Sequence, residues 1–211
     1  MLWAMTLADI AKRLNQDHDA GAKLPPVIFI TDHQAVPDPE KVIAGLAAGS
    51  AVIFRDYAHP LRAELGAALV RCCRAGGIRF LVAGDAALAA NLAADGLHLP
   101  ERMMREALPS RAAHPYWLIT VSCHDSAAIT QAEKLPVDAA LIAPIFPTDS
   151  HPETYSGQQA TLGLHGARDL VKQTILPLYA LGGITSDNAP QLIGSGLAGL
   201  AAIRGFQACR Q

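Results

Sequence analysis

Residues 51–83 read AVIF (51–54), RDYAH (55–59), PLRAELGAALVRCCRA (60–75), GG (76–77) and IRFLVA (78–83). The first block is an apolar run of strand length, of the kind found where a parallel strand is buried on both faces. The block 60–75 predicts a helix, and Gly76-Gly77 closes it. Ile78–Ala83 is again apolar except for Arg79 and predicts the next strand. Two buried strands joined by a helical crossover make the unit of a parallel sheet.

The same unit recurs on both sides. Towards the N-terminus, Pro25-Pro26 precedes the apolar run Val27–Ile30, and 39–48 predicts a helix ending at Gly49. Towards the C-terminus a helix over 86–94 precedes a strand at Gly96–Leu99. A short helix near 102–108 leads to a strand at Trp117–Ser122, and a helix over 125–134 to a strand at Ala139–Ile145. After a long loop come a helix around 165–173, a strand at Leu178–Leu181, a helix over 187–194 and a last strand at Gly199–Ile203. Eight strand–helix units in 211 residues predict an α/β fold, a single-domain (β/α)8 TIM barrel. The structural alternative is an open doubly wound sheet. Residues 25–211 form the expected barrel. Residues 1–24 precede it as an N-terminal helical extension, with Leu7, Ile10, Ala11 and Leu14 at helical spacing.

Composition agrees with a large core. Hydrophobic residues make up 51% and charged residues 17%, against about 25% charged in an ordinary domain, so disorder is excluded. The net charge of −2 gives no basic surplus for a phosphate backbone, and no nucleic-acid partner is expected. No apolar window reaches membrane-spanning length, and the N-terminal residues lack the basic region of a secretory signal. Cys72, Cys73, Cys123 and Cys209 match no zinc or redox spacing. A cytoplasmic protein with reduced thiols and no membrane partner is expected. Oligomeric state is not legible, and a homo-oligomer stays open.

Barrel enzymes place their chemistry where strands end. After the seventh strand comes Gly182-Gly183-Ile184-Thr185-Ser186-Asp187-Asn188. Two glycines ahead of an expected helix start at Ser186 or Asp187 suit a phosphate. After the eighth strand, Ile203 and Arg204 complete the expected grip; against this, a tight turn with a capped helix and a surface arginine explains the same residues. His124, past the fifth strand, suits proton transfer near neutral pH, and Ser122 precedes it. Against this, an ordinary loop histidine with Asp125 or Ser126 capping the next helix explains the same spacing. Thr148 opens the loop 146–162, too long for a passive connection. Arg55, past the second strand, either meets an anionic ligand or pairs with Asp56. Asp85, Asp95, His98 and Glu101 offer oxygen or imidazole near the third and fourth strands, with helix capping for Asp85 and a turn for Asp95 as the plainer readings.

In order, Ile30-Thr31-Asp32, Arg55-Asp56, Asp95-Gly96-Leu97-His98-Leu99, Val121-Ser122-Cys123-His124, Pro144-Ile145-Phe146-Pro147-Thr148 and Gly182-Gly183-Ile184 with Asn188 resemble the thiamin-phosphate synthase and thiazole tautomerase family. The resemblance covers about Val27 to Phe206 and implies the barrel. It implies either of two reactions. The synthase couples an aminopyrimidine pyrophosphate to thiazole phosphate, with Mg2+ holding the pyrophosphate. The tautomerase isomerises a thiazole carboxylate phosphate, with a histidine matching His124 implicated in proton transfer.

This chain departs from the synthase pattern in one half of the site. Ile53 stands where the family has Gln, Tyr57 where it has Lys, Gly84 and Met103 where it has metal-binding Asp, and His151 where it has Lys. Asp85 lies one position late for a metal ligand. The thiazole-phosphate half is kept. The expectation is therefore a tautomerase-like barrel for a thiazole phosphate or similar phosphorylated small molecule. Gly182, Gly183, Ile203 and Arg204 hold the phosphate, Ser122, Thr148 and Arg55 line the site, and His124 shuttles the proton. No cofactor is expected; Mg2+ with Asp85 belongs only to the synthase reading. The remaining alternatives are a working synthase, a non-catalytic ligand-binding or regulatory homologue, and a phosphate-binding barrel enzyme with an unrelated substrate.

Overall fold

The structure is a computed structural model and describes residues 5–19, 23–150, 152–157 and 160–206. The strands are β1 (Val27–Ile30), β2 (Ala51–Phe54), β3 (Arg79–Ala83), β4 (Gly96–Leu99), β5 (Leu118–Cys123), β6 (Ala139–Ile142), β7 (Leu178–Ala180) and β8 (Gly199–Ala202). All neighbours pair in parallel, and β8 returns to β1 through Val27↔Leu200 and Ile28↔Ala201. The sheet is a closed barrel, so the open-sheet alternative is excluded.

Alternation of side chains across each strand sorts the apolar residues into two layers. Ile28, Ile30, Ile53, Leu81, Leu141 and Tyr179 fill the barrel interior. Phe29, Val52, Phe54, Phe80, Val82 and Ile142 point outward and pack under the helices. The Tyr179 hydroxyl is buried and donates to the Pro25 carbonyl at 2.7 Å, which satisfies it at the start of the barrel.

The helices are α1 (Leu7–Gln16), α2 (Pro39–Gly45), α3 (Arg62–Ala75), α4 (Ala86–Asn91), α5 (Ala107–Ala113), α6 (Ser126–Ala132) and α7 (Gly163–Lys172). A Thr6–Asp9 capping box starts α1, which buries Leu7, Ile10, Ala11 and Leu14 as the spacing predicts. This helix packs along β8 and β1, on the outer wall of the barrel. Asn15 fastens its end by donating to the carbonyls of Leu24 (3.2 Å) and Ala198 (3.0 Å).

Two helical expectations are corrected. The segment near 102–108 is a 3-10 turn over Glu101–Glu106 that runs into α5. Pro109 does not stop α5, because in the first turn its missing N–H removes no helical bond. The helix expected over 187–194 shrinks to a 3-10 turn at Ala189–Leu192. Pro190 disfavours α geometry at Ala189, and Gly194 and Gly196 take positive φ. Among the described residues no α-helix therefore starts directly after β7.

Candidate functional site

Strand ends converge at the C-terminal mouth. His124 follows β5. Its Nδ1 lies 3.0 Å from the Ala143 carbonyl, which can only accept, so in the neutral ring Nδ1 carries the proton and Nε2 the lone pair. Its backbone N–H donates to Glu101 at 3.1 Å. Asp125 caps α6 by accepting from the Ala128 N–H at 2.8 Å, which leaves His124 at the strand end in front of the helix.

Ser122 points into the barrel, where its Oγ is 3.0 Å from His98 Nε2; the other ring nitrogen lies 2.9 Å from the Thr120 hydroxyl. His98 is buried, and burial followed by the positive charge of Arg55 pushes its pKa down to about 4. It is therefore a neutral imidazole at physiological pH. Ser122 is an expected site-lining residue; the structure adds His98, a weaker candidate from sequence, and Thr120, which no sequence motif singled out. The signal lay in the parallel register, which places His98 opposite Thr120.

Arg55 is paired through Nη2 to Asp32 at 2.5 Å, and not to the neighbouring Asp56. Asp56 is buried and accepts from the Thr31 hydroxyl, from the His33 N–H at 2.6 Å and from the His33 ring at 2.9 Å. Burial alone raises the Asp56 pKa; its hydrogen bonds outweigh that and hold it below the usual range. The loops after β1 and β2 are thereby locked together.

At the end of β7, Gly182 has φ +93° and Gly183 φ +65°. A Cβ on Gly183 would lie 2.2 Å from the Pro147 carbonyl oxygen. These glycines therefore let the loop after β6 pass against the loop after β7. Phe146 N–H donates to the Gly182 carbonyl (3.1 Å) and Ile145 N–H to that of Leu181 (2.9 Å). Asn188 pins the same turn, donating to the Gly183 carbonyl at 2.8 Å and accepting from the Thr185 N–H at 2.9 Å. Among the described residues no acceptor takes up the Gly183 N–H. The helix expected to assist here is the corrected 3-10 turn, so no α-helix follows this glycine pair.

Arg204 reaches across the rim to Asp149 at 3.6 Å, both side chains being largely exposed. Ile203 is half-buried between the inner and outer apolar layers. Thr148 donates its backbone N–H to the Thr154 hydroxyl at 2.9 Å. Tyr155 donates to Asp149 at 3.1 Å, so the described part of the 146–162 loop is tied to itself and to Arg204.

On the β2–β4 side of the same mouth, Asp85 caps α4 by accepting from the Leu88 N–H at 2.8 Å and pairs with Arg62 at 3.3 Å. Asp95 accepts from the Phe80 N–H at 2.8 Å. Both carboxylates have structural partners. Tyr57 and Met103 both lie beside Gly84: a Cβ there would be 3.2 Å from the Tyr57 ring and 3.7 Å from the Met103 sulfur. Among the described residues no cluster of three His, Cys, Asp or Glu side chains is arranged to hold a metal ion. His151 and Cys209 lie outside the described residues. The buried thiols of Cys73 and Cys123 are pushed up to about 12 by burial, so neither is a reactive thiolate.

A cleft of about 570 Å3 runs between the 3-10 turn after β4 and the end of β5, lined by Glu101, Arg102, Ser122 and His124 among others. A second cavity of about 450 Å3, bordered by Arg79, Asp95 and Trp117, lies at the opposite end of the barrel, away from these groups. No helix among the described residues is long and apolar enough to cross a membrane.

Comparisons with known proteins agree with the barrel. The chain is 34% identical over 186 residues to the thiamine-phosphate synthase of Levilactobacillus brevis, covering 83% of this chain and 84% of that one. It is 35% identical over 127 residues to the thiamine-phosphate synthase of Limosilactobacillus fermentum, covering 60% of this chain and 58% of that one. A solved thiamine phosphate pyrophosphorylase from Pyrococcus furiosus superposes with a TM-score of 0.71 at 28% identity, covering 84% of this chain and 85% of the other. The family model described as thiamine monophosphate synthase matches residues 27–206, and with β1 through β8 inside that span the chain belongs to the thiamine monophosphate synthase family.

Proposed function

We propose that this chain binds a thiazole phosphate, or a similar phosphorylated heterocycle, across the barrel mouth and moves a proton on it. The observation that carries the reading is His124. Its Nδ1–H is committed to the Ala143 carbonyl, so Nε2 is left as the base. Nε2 takes a proton from one ligand atom and returns it at another, with no net change in charge. The phosphate lies against the Gly182-Gly183 turn and the start of the loop at Ile203. Arg204 turns onto it at small cost, because an exposed ion pair such as Arg204–Asp149 is worth about 0–1 kcal/mol. Ser122, oriented by His98, and Arg55, held by Asp32, line the ring; Thr148 borders the loop side.

The relatives' names favour a second reading, the coupling of an aminopyrimidine pyrophosphate to thiazole phosphate with Mg2+. In that reading Asp85 holds the metal, and it has to leave its cap and Arg62 to do so. Calorimetry with thiazole phosphate tests the shared half. Binding that Gly183→Ala abolishes supports the proposal; no binding overturns it. Incubation with both coupling substrates and Mg2+ separates the readings. Thiamin phosphate formed by the wild type and lost in Asp85→Ala establishes the coupling reaction. Isomerisation lost in His124→Asn establishes the proton-transfer reaction. Binding without either conversion identifies a ligand-binding homologue.

A further inference from the structure

We infer that α1 is a working part of the barrel mouth, with Leu7 as a positioning residue that holds the Ile203–Arg204–Gly205 turn where a ligand phosphate meets it. This rests on the phosphate site proposed above and names what keeps the β8 half of that site in place.

In a (β/α)8 barrel each strand is followed by a helix packed on the outer wall. Among the described residues no helix follows β8; α1, from the other end of the sequence, packs against β8 and β1. It runs from the mouth to the opposite end of the barrel. Leu7, its first residue, lies beside Gly205, just past the end of β8. At its other end Asn15 donates to the carbonyls of Leu24 and Ala198, which precede β1 and β8. Its 10 residues, at about 1.5 Å each, span that wall. The capping box closes its first turn: the Asp9 carboxylate accepts from the Thr6 N–H at 3.0 Å and from the Thr6 hydroxyl at 2.7 Å. The backbone that carries Leu7 is thereby fixed.

Three parts of the chain meet at Gly205. A Cβ there would lie 2.9 Å from Leu7 Cδ1, 3.1 Å from Ala202 Cβ and 3.4 Å from the Ile184 carbonyl oxygen. The φ of Gly205 lies outside the left-handed region, so its backbone does not require glycine. What a side chain would contest is the space next to Leu7 and Ala202. Ile184 directly follows the Gly182-Gly183 pair, so Leu7 lies against the turn after β8 where it passes the turn after β7. The same helix packs on the 3-10 turn Ala189–Leu192, next to Asn188, which pins Gly183. The only ion pair of the β8 turn among the described residues, Arg204 to Asp149, is exposed and holds it weakly. Leu7 is buried, and its apolar contact is the firmer hold. A turn that retreats by about 1 Å takes its N–H groups out of hydrogen-bond range of a phosphate.

Calorimetric titration of thiazole phosphate into the full chain tests this, at a temperature where far-UV circular dichroism shows each variant folded. Leu14 is also buried on α1, at the end away from the mouth. Leu7→Ala and Leu14→Ala remove the same atoms from the same helix. Leu7→Ala is expected to weaken thiazole phosphate about tenfold, as if the turn were in place about one-tenth of the time. Leu14→Ala is expected to weaken it less than about twofold. Gly205→Ala removes no core atoms and displaces Leu7, and is also expected to weaken binding about tenfold. In the double variant the new methyl enters space that the leucine has left, so binding is expected within about threefold of the wild type. Leu7→Met, which keeps the volume, is expected to retain binding. Equal effects of Leu7→Ala and Leu14→Ala overturn the inference, because α1 would then only pack. So does simple additivity of Leu7→Ala and Gly205→Ala. Failure of the wild type to bind thiazole phosphate overturns the phosphate reading instead. Hydrogen exchange at residues 203–206 of the ligand-free chain then decides the role of Leu7: faster in Leu7→Ala than in Leu14→Ala supports it, and equal rates overturn it.

Discussion

Replacing Gly183 by alanine tests how the loops after β6 and β7 are assembled. Two costs add. The residue sits at φ +65°, which costs an L side chain about 1 kcal/mol. The new methyl would also lie 2.2 Å from the Pro147 carbonyl oxygen, 2.6 Å from that of Phe146 and 2.7 Å from the Phe146 carbonyl carbon. These are backbone atoms, so no side chain can swing aside, and the loop has to retreat by roughly 1 Å to restore ordinary contact. That retreat strains the bonds from Ile145 N–H to Leu181 and from Phe146 N–H to Gly182, each worth about 1 kcal/mol net. The expected destabilisation is about 3 kcal/mol.

Gly49 provides the internal control. Its φ is +84° and a Cβ there meets nothing within 4 Å, so Gly49→Ala carries only the backbone cost of about 1 kcal/mol. Urea unfolding followed by far-UV circular dichroism measures both. With an m-value of about 2 kcal/mol/M, the Gly183→Ala midpoint falls about 1 M below that of Gly49→Ala. Equal midpoints for the two variants would refute the reasoning, because the close approach of the loops would then carry no energy.

Three further outcomes follow from the structure. His98 is buried with a pKa pushed down to about 4, against 6.5 for an ordinary histidine. Unfolding releases it to bind a proton, so stability is full above pH 6.5 and falls by up to about 3 kcal/mol as pH drops to about 4; urea midpoints across that range show the slope, and His98→Gln flattens it. Asp56→Ala strands the Thr31 hydroxyl and the His33 N–H and is expected to cost about 3 kcal/mol in the same assay; a loss under about 1 kcal/mol would mean that this network is dispensable. Arg204→Gln removes an exposed pair with Asp149, so stability is expected to change by less than about 0.5 kcal/mol, while thiazole phosphate binding weakens about tenfold.

Much of the fold was legible because it is local. Val27–Ile30, Ala51–Phe54 and Phe80–Ala83 announce buried strands through unbroken apolar runs, and glycines or prolines punctuate them. The errors fell where local signals compete. Asn188 spends its side chain on the turn instead of capping a helix, and Pro190 prevents α geometry. Pro109 sits in the first turn of α5, where a helix tolerates it.

The candidate site divides along the same line. Sequence alone placed His124, Ser122, Gly182, Gly183, Arg204 and Arg55 at strand ends, because a strand's end is a property of its neighbours in the chain. Only the tertiary structure assigned their partners. It turned Arg55 to Asp32, buried His98 against Ser122, and gave Gly183 the task of admitting the loop after β6. It also brought Tyr57, Gly84 and Met103 into one patch from three separate strand ends. Such contacts depend on each strand pairing with the next in a particular register. Residues far apart in the chain become neighbours only when those strands pair, and no local pattern records that pairing.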